Sequence, residues 1–200
     1  EIFDDQGEHT RALAVATAVR DSSPLVRRAR FRAALSQMHL KRYDDALATM
    51  KALNDARSTP GLLNNMGVVQ LRRSGTPASG GTATYFFTKA ADADETEPDY
   101  FFNLGYAYWF DKDMKAAIYW LREALRRDPT DGDAHYVLGA ALGASGLAAE
   151  SAREKDLARR LSSAYSDWDK RPASDPIPRG LERIKGDVEL PHSRQIEQTL

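Results

Sequence analysis

The stretch YFFNLGYAYWFDKDMKAAIYWLREALRRDP, residues 100–129, decides the fold. Its first half carries Leu104-Gly105, and its second half carries Ala117, Leu121 and Ala124 at helical spacing before Pro129. That arrangement predicts two antiparallel helices packed closely. The glycine on one and the alanine on the other let the backbones approach, while large residues at helical spacing fill the seam. Pro129 stops the second helix, because it lacks an N–H and disfavours helix in the residue before it.

The same grammar recurs outward. From Gly105, a step of 34 residues forward lands on Leu138-Gly139 and a step of 38 back lands on Met66-Gly67. Periods near 34 mark stacked helical pairs. Ala83, Phe87 and Ala90 follow the earlier pair, and Ser151, Lys155 and Ala158 follow the later one, with Lys155 the poor fit. Further back, Ala33, Ala34, Tyr43, Ala46, Met50 and Leu53 keep the frame without the leucine-glycine pair. Gly7, His9, Ala12, Val19 and Pro24 fit the second half of one more unit, so the chain is expected to begin inside the first helix of a repeat.

Residues 100–129 resemble the tetratricopeptide family at nearly every position. Phe101 stands where the family usually has tryptophan, Tyr108, Ala117, Leu121, Ala124 and Pro129 fall in register, and Lys112 replaces the usual turn glycine. The resemblance implies an all-α fold, a right-handed superhelical solenoid of antiparallel helix pairs with a partly irregular C-terminal tail. It divides the chain into a half repeat at 1–26, four repeats at 27–59, 60–97, 98–131 and 132–165, and a tail at 166–200.

Two stretches interrupt the pattern. Ser74 to Gly81 is rich in glycine, serine and proline and reads as a loop. Gly75, Gly80, Gly81 and Thr82 have the spacing of a phosphate loop, but glycine stands where its lysine belongs and no strand precedes it. Leu147 to Lys170 reads as one long helix, and Pro172 to Arg179, with three prolines, as an extended segment. Gly180 to Leu200 offers a short helical stretch among turn residues, or the lead-in to a further domain. A solenoid needs a polar cap on its exposed end, which the long helix and a folded-back tail could supply.

Composition narrows the function classes. Hydrophobic residues at 42% and charged residues at 28% suit a soluble chain with a buried core, and a net charge of −1 offers nothing to nucleic acid or an anionic membrane. The absence of cysteine excludes disulfides and thiolate metal sites. No apolar run nears the roughly 20 residues that span a bilayer, so no membrane insertion is expected. Opening on Glu1 instead of methionine leaves room for an upstream targeting segment, and the compartment stays open, with a lean to the cytoplasm.

The resemblance places ligand-contacting positions on a concave face lined by the first helix of each pair. They are Asp99, Phe102, Asn103, Tyr106, Trp109 and Phe110 in one repeat and Asp133, Tyr136 and Ala140 in the next. The preceding repeats give Asn64, Asn65, Val68 and Arg72, then Arg28, Phe31, Arg32, Leu35 and His39. Asn65 and Asn103 are equivalent, and an amide there can both donate to and accept from an extended backbone. The aromatics either line a groove or pack against neighbouring helices or the tail. Some family members clamp a C-terminal carboxylate with lysine, arginine and asparagine. Here Asp99 and Asp133 stand where basic residues belong, so a hydrophobic or proline-containing segment is the better match.

On the second helices, Tyr85-Phe86 and Tyr119-Trp120 are 34 residues apart. Tyr85, Tyr119 and Trp120 form either an exposed stripe for dimerisation or tail docking, or a partly buried seam between helices. His9, His39, His135 and His192 are scattered over different units. Asp131, Asp133 and His135 are close in sequence but fall at a turn and helix start, where aspartate caps. Asp92 to Asp99 reads as a solvated turn, and Arg27, Arg28, Arg30 and Arg32 as a solvated helix face.

The reading is therefore a protein-interaction scaffold with no catalytic residues, metal or cofactor, binding an extended peptide or partner helix in its groove. The alternatives are a regulatory or substrate-docking arm of a larger enzyme, and a self-assembly module.

Overall fold

The computed structural model describes residues 2–73 and 82–187, with side chains from residue 7 onward. The expected loop at Ser74–Gly81, His192 and the end of the tail lie outside these residues. All regular structure among the described residues is helical: α1 (Ile2–Thr17), α2 (Val26–His39), α3 (Tyr43–Ala56), α4 (Pro60–Arg72), α5 (Ala83–Ala93), α6 (Pro98–Phe110), α7 (Met114–Arg127), α8 (Gly132–Ala144), α9 (Ala148–Leu161) and α10 (Tyr165–Trp168). They fall into two compact units. One holds α1 to α4 with residues 184–187, and the other holds α5 to α10 with the chain up to Arg183.

In the first unit each helix packs on the next, α1 on α2, α2 on α3 and α3 on α4. Its core is Phe31, Ala34, Met38, Ala46, Met50, Leu53, Leu62 and Met66. Thr59 caps α4 by accepting from the Leu62 N–H, and Pro60 occupies the first turn, where its missing N–H costs nothing. Arg27 departs from its expected solvated role. Its guanidinium donates at 2.9 Å to the Leu53 carbonyl, which also accepts from the Arg57 N–H, and at 2.7 Å to the Arg57 carbonyl, tying the start of α2 to the end of α3.

α1 is one unbroken helix from Ile2 to Thr17. Gly7 accordingly lies inside it, open to solvent, with no neighbour that its missing side chain makes room for.

In the second unit α5 packs on α6, α6 on α7, α7 on α8 and α8 on α9. Gly105 explains the closeness of α6 and α7, since a Cβ built there would lie 2.7 Å from Leu121 Cγ and 3.0 Å from the Leu121 nitrogen. Gly139 repeats the device, with Ser151 and Lys155 of α9 as its neighbours. Lys155, the poor fit by sequence, lays its stem there and carries its ammonium 5.0 Å from the centre of the Tyr136 ring. Lys112 takes the left-handed backbone (φ 63°) that its glycine counterpart Gly146 takes at φ 80°.

The helix expected over Leu147–Lys170 is broken. α9 ends at Leu161, Ser162 is extended, and its hydroxyl accepts from the Ala164 N–H. Serine side chains compete for backbone donors in this way. The break frees Tyr165 and Trp168 to pack on Tyr136, with ring centroids 5.8 Å and 5.1 Å away.

Candidate peptide-binding face

In the second unit, α6 and α8 are the first helices of their pairs. Phe102, Tyr106 and Phe110 are four residues apart and share one face of α6. Phe102 stacks on Tyr106 at 5.8 Å, and Tyr106 meets Phe110 edge-on at 4.8 Å. Phe102 and Tyr106 are buried, and what covers this face is the chain's own tail. Ile177 is buried in the same unit.

The tail docks by backbone. Asn103 accepts from the Arg183 N–H at 2.7 Å and donates to the Arg183 carbonyl at 2.8 Å. The Tyr106 hydroxyl donates to the Pro178 carbonyl at 2.7 Å. Burial pushes the Tyr106 phenol well above its ordinary range, with the nearby Glu182 carboxylate adding to the shift, so it stays a donor. The Arg179 guanidinium lies over Phe110, 3.6 Å from the ring centre. The segment thus runs from the C-terminal half of α6 toward its start.

At that start stand three carboxylates. Arg183 donates to Asp133 at 2.7 Å and to both oxygens of Asp131 at 3.0 and 3.2 Å, with Asp99 3.8 Å away. Its guanidinium also lies over Phe102, 4.3 Å from the ring centre. The Tyr165 hydroxyl donates to the other oxygen of Asp133 at 2.9 Å and orients it. Asp131 additionally caps α8 through the Ala134 N–H. Burial alone would lower the Arg183 pKa, but Asp131 and Asp133 reverse it and hold the guanidinium charged.

In the first unit the same device appears on α4. Asn65 accepts from the Lys185 N–H at 2.8 Å and donates to the Lys185 carbonyl at 2.7 Å. Gly61 leaves room for the segment, since a Cβ there would lie 3.3 Å from that of Lys185.

The remaining expected site residues are placed as follows. Asn64 is buried and donates to Asn65 at 3.3 Å, Phe31 is buried in the core, and Arg72 is half-buried at the end of α4. Trp109 is buried beneath the Lys112 ammonium, 5.5 Å from its ring centre. Tyr136 packs against Tyr165 and Trp168 and donates to Asp169 at 2.9 Å. On the second helices Tyr85 and Tyr119 are 53% and 57% exposed, while Trp120 is half-buried against Phe101.

His135 is held by Glu154 at 2.7 Å and the Pro129 carbonyl at 3.1 Å. The alternative in which these aromatics pack against the tail is the one seen on α6, though register names none of Pro178, Arg179, Arg183 and Lys185. The sequence signal for a cation here is the pair Asp99 and Asp133, standing where a carboxylate clamp needs basic residues. Among the described residues no helix is long and apolar enough to cross a membrane.

Tetratricopeptide repeat models match residues 2–60 and 98–131. No curated protein sequence matches the chain. Among solved structures, the chain is similar to YrrB, described as a TPR protein with an unusual peptide-binding site. The identity is 17%, 78% of this chain and 79% of that one are covered, and the TM-score is 0.63. A crystal structure of MamA is 15% identical over 80% of this chain and 92% of the other, with a TM-score of 0.69. MamA from Desulfovibrio magneticus RS-1 is 16% identical over 79% and 88%, at 0.66. These likenesses show the fold, tandem antiparallel helix pairs.

Proposed function

For this chain, a tetratricopeptide-repeat protein, we propose a role as a protein-interaction scaffold whose first-helix face holds an extended peptide and whose own tail is the resident occupant. The observation that carries this is the paired amide grip of Asn103 on the Arg183 backbone. Such a grip reads the main chain of whatever lies there, so it serves a foreign segment as well as the tail. The peptide-binding site in the description of YrrB is in keeping with this reading. Binding, not chemistry, is the role assigned to these residues, and the partner is a protein or peptide.

The test uses the full chain carrying Arg183→Gln, which weakens the resident tail, and a fluorescein-labelled peptide of residues 177–187. Saturable binding measured by anisotropy, lost when Asn103→Ala is added, is the expected result. Absence of binding, or equal binding by both variants, contradicts the proposal.

A further inference from the structure

We infer that Asp99, Asp131, Asp133 and Phe102 form an arginine-selective subsite, and that the partner presents an arginine in an extended segment that displaces the tail. The inference rests on the groove reading above and adds the chemistry of the ligand.

Four observations in the second unit converge. Arg183 Nη1 reaches Asp133 at 2.7 Å, Nη2 reaches both oxygens of Asp131 at 3.0 and 3.2 Å, and Nε faces Asp99 at 3.8 Å. Three nitrogens of one planar fork thus face three different carboxylates. A lysine ammonium is a single point and cannot span that arrangement. The flat face of the fork lies on Phe102, 4.3 Å from the ring centre, which also favours guanidinium. The Tyr165 hydroxyl holds Asp133 in place from behind. Finally, Asn103 grips the backbone of that same arginine, so side chain and main chain are read together.

Charge complementarity then sets the partner. Three carboxylates surround one cation, so an anionic or neutral residue at this point of a ligand leaves them facing each other without a counter-charge. A partner segment lacking arginine there loses to the tail, and one carrying it matches the tail's contacts and displaces it once its concentration rivals the tail's effective concentration. The tail thereby sets a threshold that non-specific extended peptides do not cross.

Two measurements test this on the full chain. First, amide exchange across residues 179–183 is compared between the parent and Arg183→Gln. The expected result is faster exchange in the variant, by roughly tenfold or more, as loss of charge-assisted hydrogen bonds requires. Unchanged protection would overturn the subsite. Second, the 177–187 peptide is titrated into the Arg183→Gln chain with arginine, lysine or citrulline at the position of Arg183. Arginine is expected to bind roughly tenfold or more tightly than either. Asp133→Asn should shrink that advantage.

Equal binding of all three peptides, still abolished by Asn103→Ala, would overturn the arginine subsite and leave the groove standing. Lysine matching arginine would overturn the fork geometry. Failure of every peptide on a chain whose tail has been released would overturn the groove and this inference with it.

Discussion

Replacing Gly105 by alanine tests the packing that the repeat grammar rests on. The added methyl would sit 2.7 Å from Leu121 Cγ and 3.0 Å from the Leu121 nitrogen. Carbon atoms in contact prefer about 3.5–4.0 Å, so the shortfall against Cγ is about 1 Å. Leu121 is fully buried and its nitrogen is backbone, so neither can swing aside without moving α7. Overpacking of this kind costs about 1–3 kcal/mol.

Alanine in a helix interior returns about 1 kcal/mol over glycine, leaving a net loss of about 1 kcal/mol at the middle of that range. For a chain of this size that is a fall in Tm of roughly 2–4 °C. The control is Gly7→Ala, at a helical position where nothing lies within 4 Å of the new Cβ. Only the propensity gain remains there, so Tm should rise by roughly 1–4 °C. Thermal melts followed by circular dichroism read both. A rise for Gly105→Ala, or equal shifts for the two, would refute the close-approach argument.

Lys112→Gly relieves the left-handed backbone at φ 63° and should stabilise by about 0.5–1 kcal/mol in urea titrations, against the small loss of its ammonium contact with Trp109. Burial works against the Asp169 carboxylate, but hydrogen bonds from Tyr136 and Arg159, both at 2.9 Å, hold its pKa below the usual range. Its stabilising contribution is therefore complete above the unfolded value of about 3.9 and is lost as pH falls through the folded one. The Tm gap between parent and Asp169→Asn should narrow from pH 6 or so down to about 3, and a constant gap would exclude the linkage. Tyr85→Ser and Tyr119→Ser, at exposed positions, should each change stability by no more than about 0.5 kcal/mol. A larger loss would mean that the rings are packed.

The helix pairs were legible because their determinants are local and periodic. Gly105, Ala117, Leu121 and Ala124 announce a close seam on their own, and Pro129 marks where the pair ends. The break after Leu161 was hidden because the stretch keeps helical composition on both sides. Its cause is the backbone competition of Ser162 together with the tertiary pull on Tyr165 from Asp133 and Tyr136.

The face itself was half legible. Register named Asn65 and Asn103, but the residues they grip are 120 and 80 positions away in sequence, beyond any periodic signal. The acidic residues Asp99 and Asp133 were visible as the wrong charge for one ligand. Only their shared contact with Arg183 turns them into the right charge for another.

Amide exchange at Arg183 and Lys185 in the unmodified chain tests the central claim most directly. Their N–H groups donate to Asn103 and Asn65 at 2.7 and 2.8 Å. Docking predicts exchange slowed by at least about a hundredfold relative to an unstructured peptide, with Asn103→Ala releasing Arg183. Exchange at the rate of an unstructured peptide at both residues would contradict a tail seated on the first helices, and with it the resident occupant on which the functional account depends.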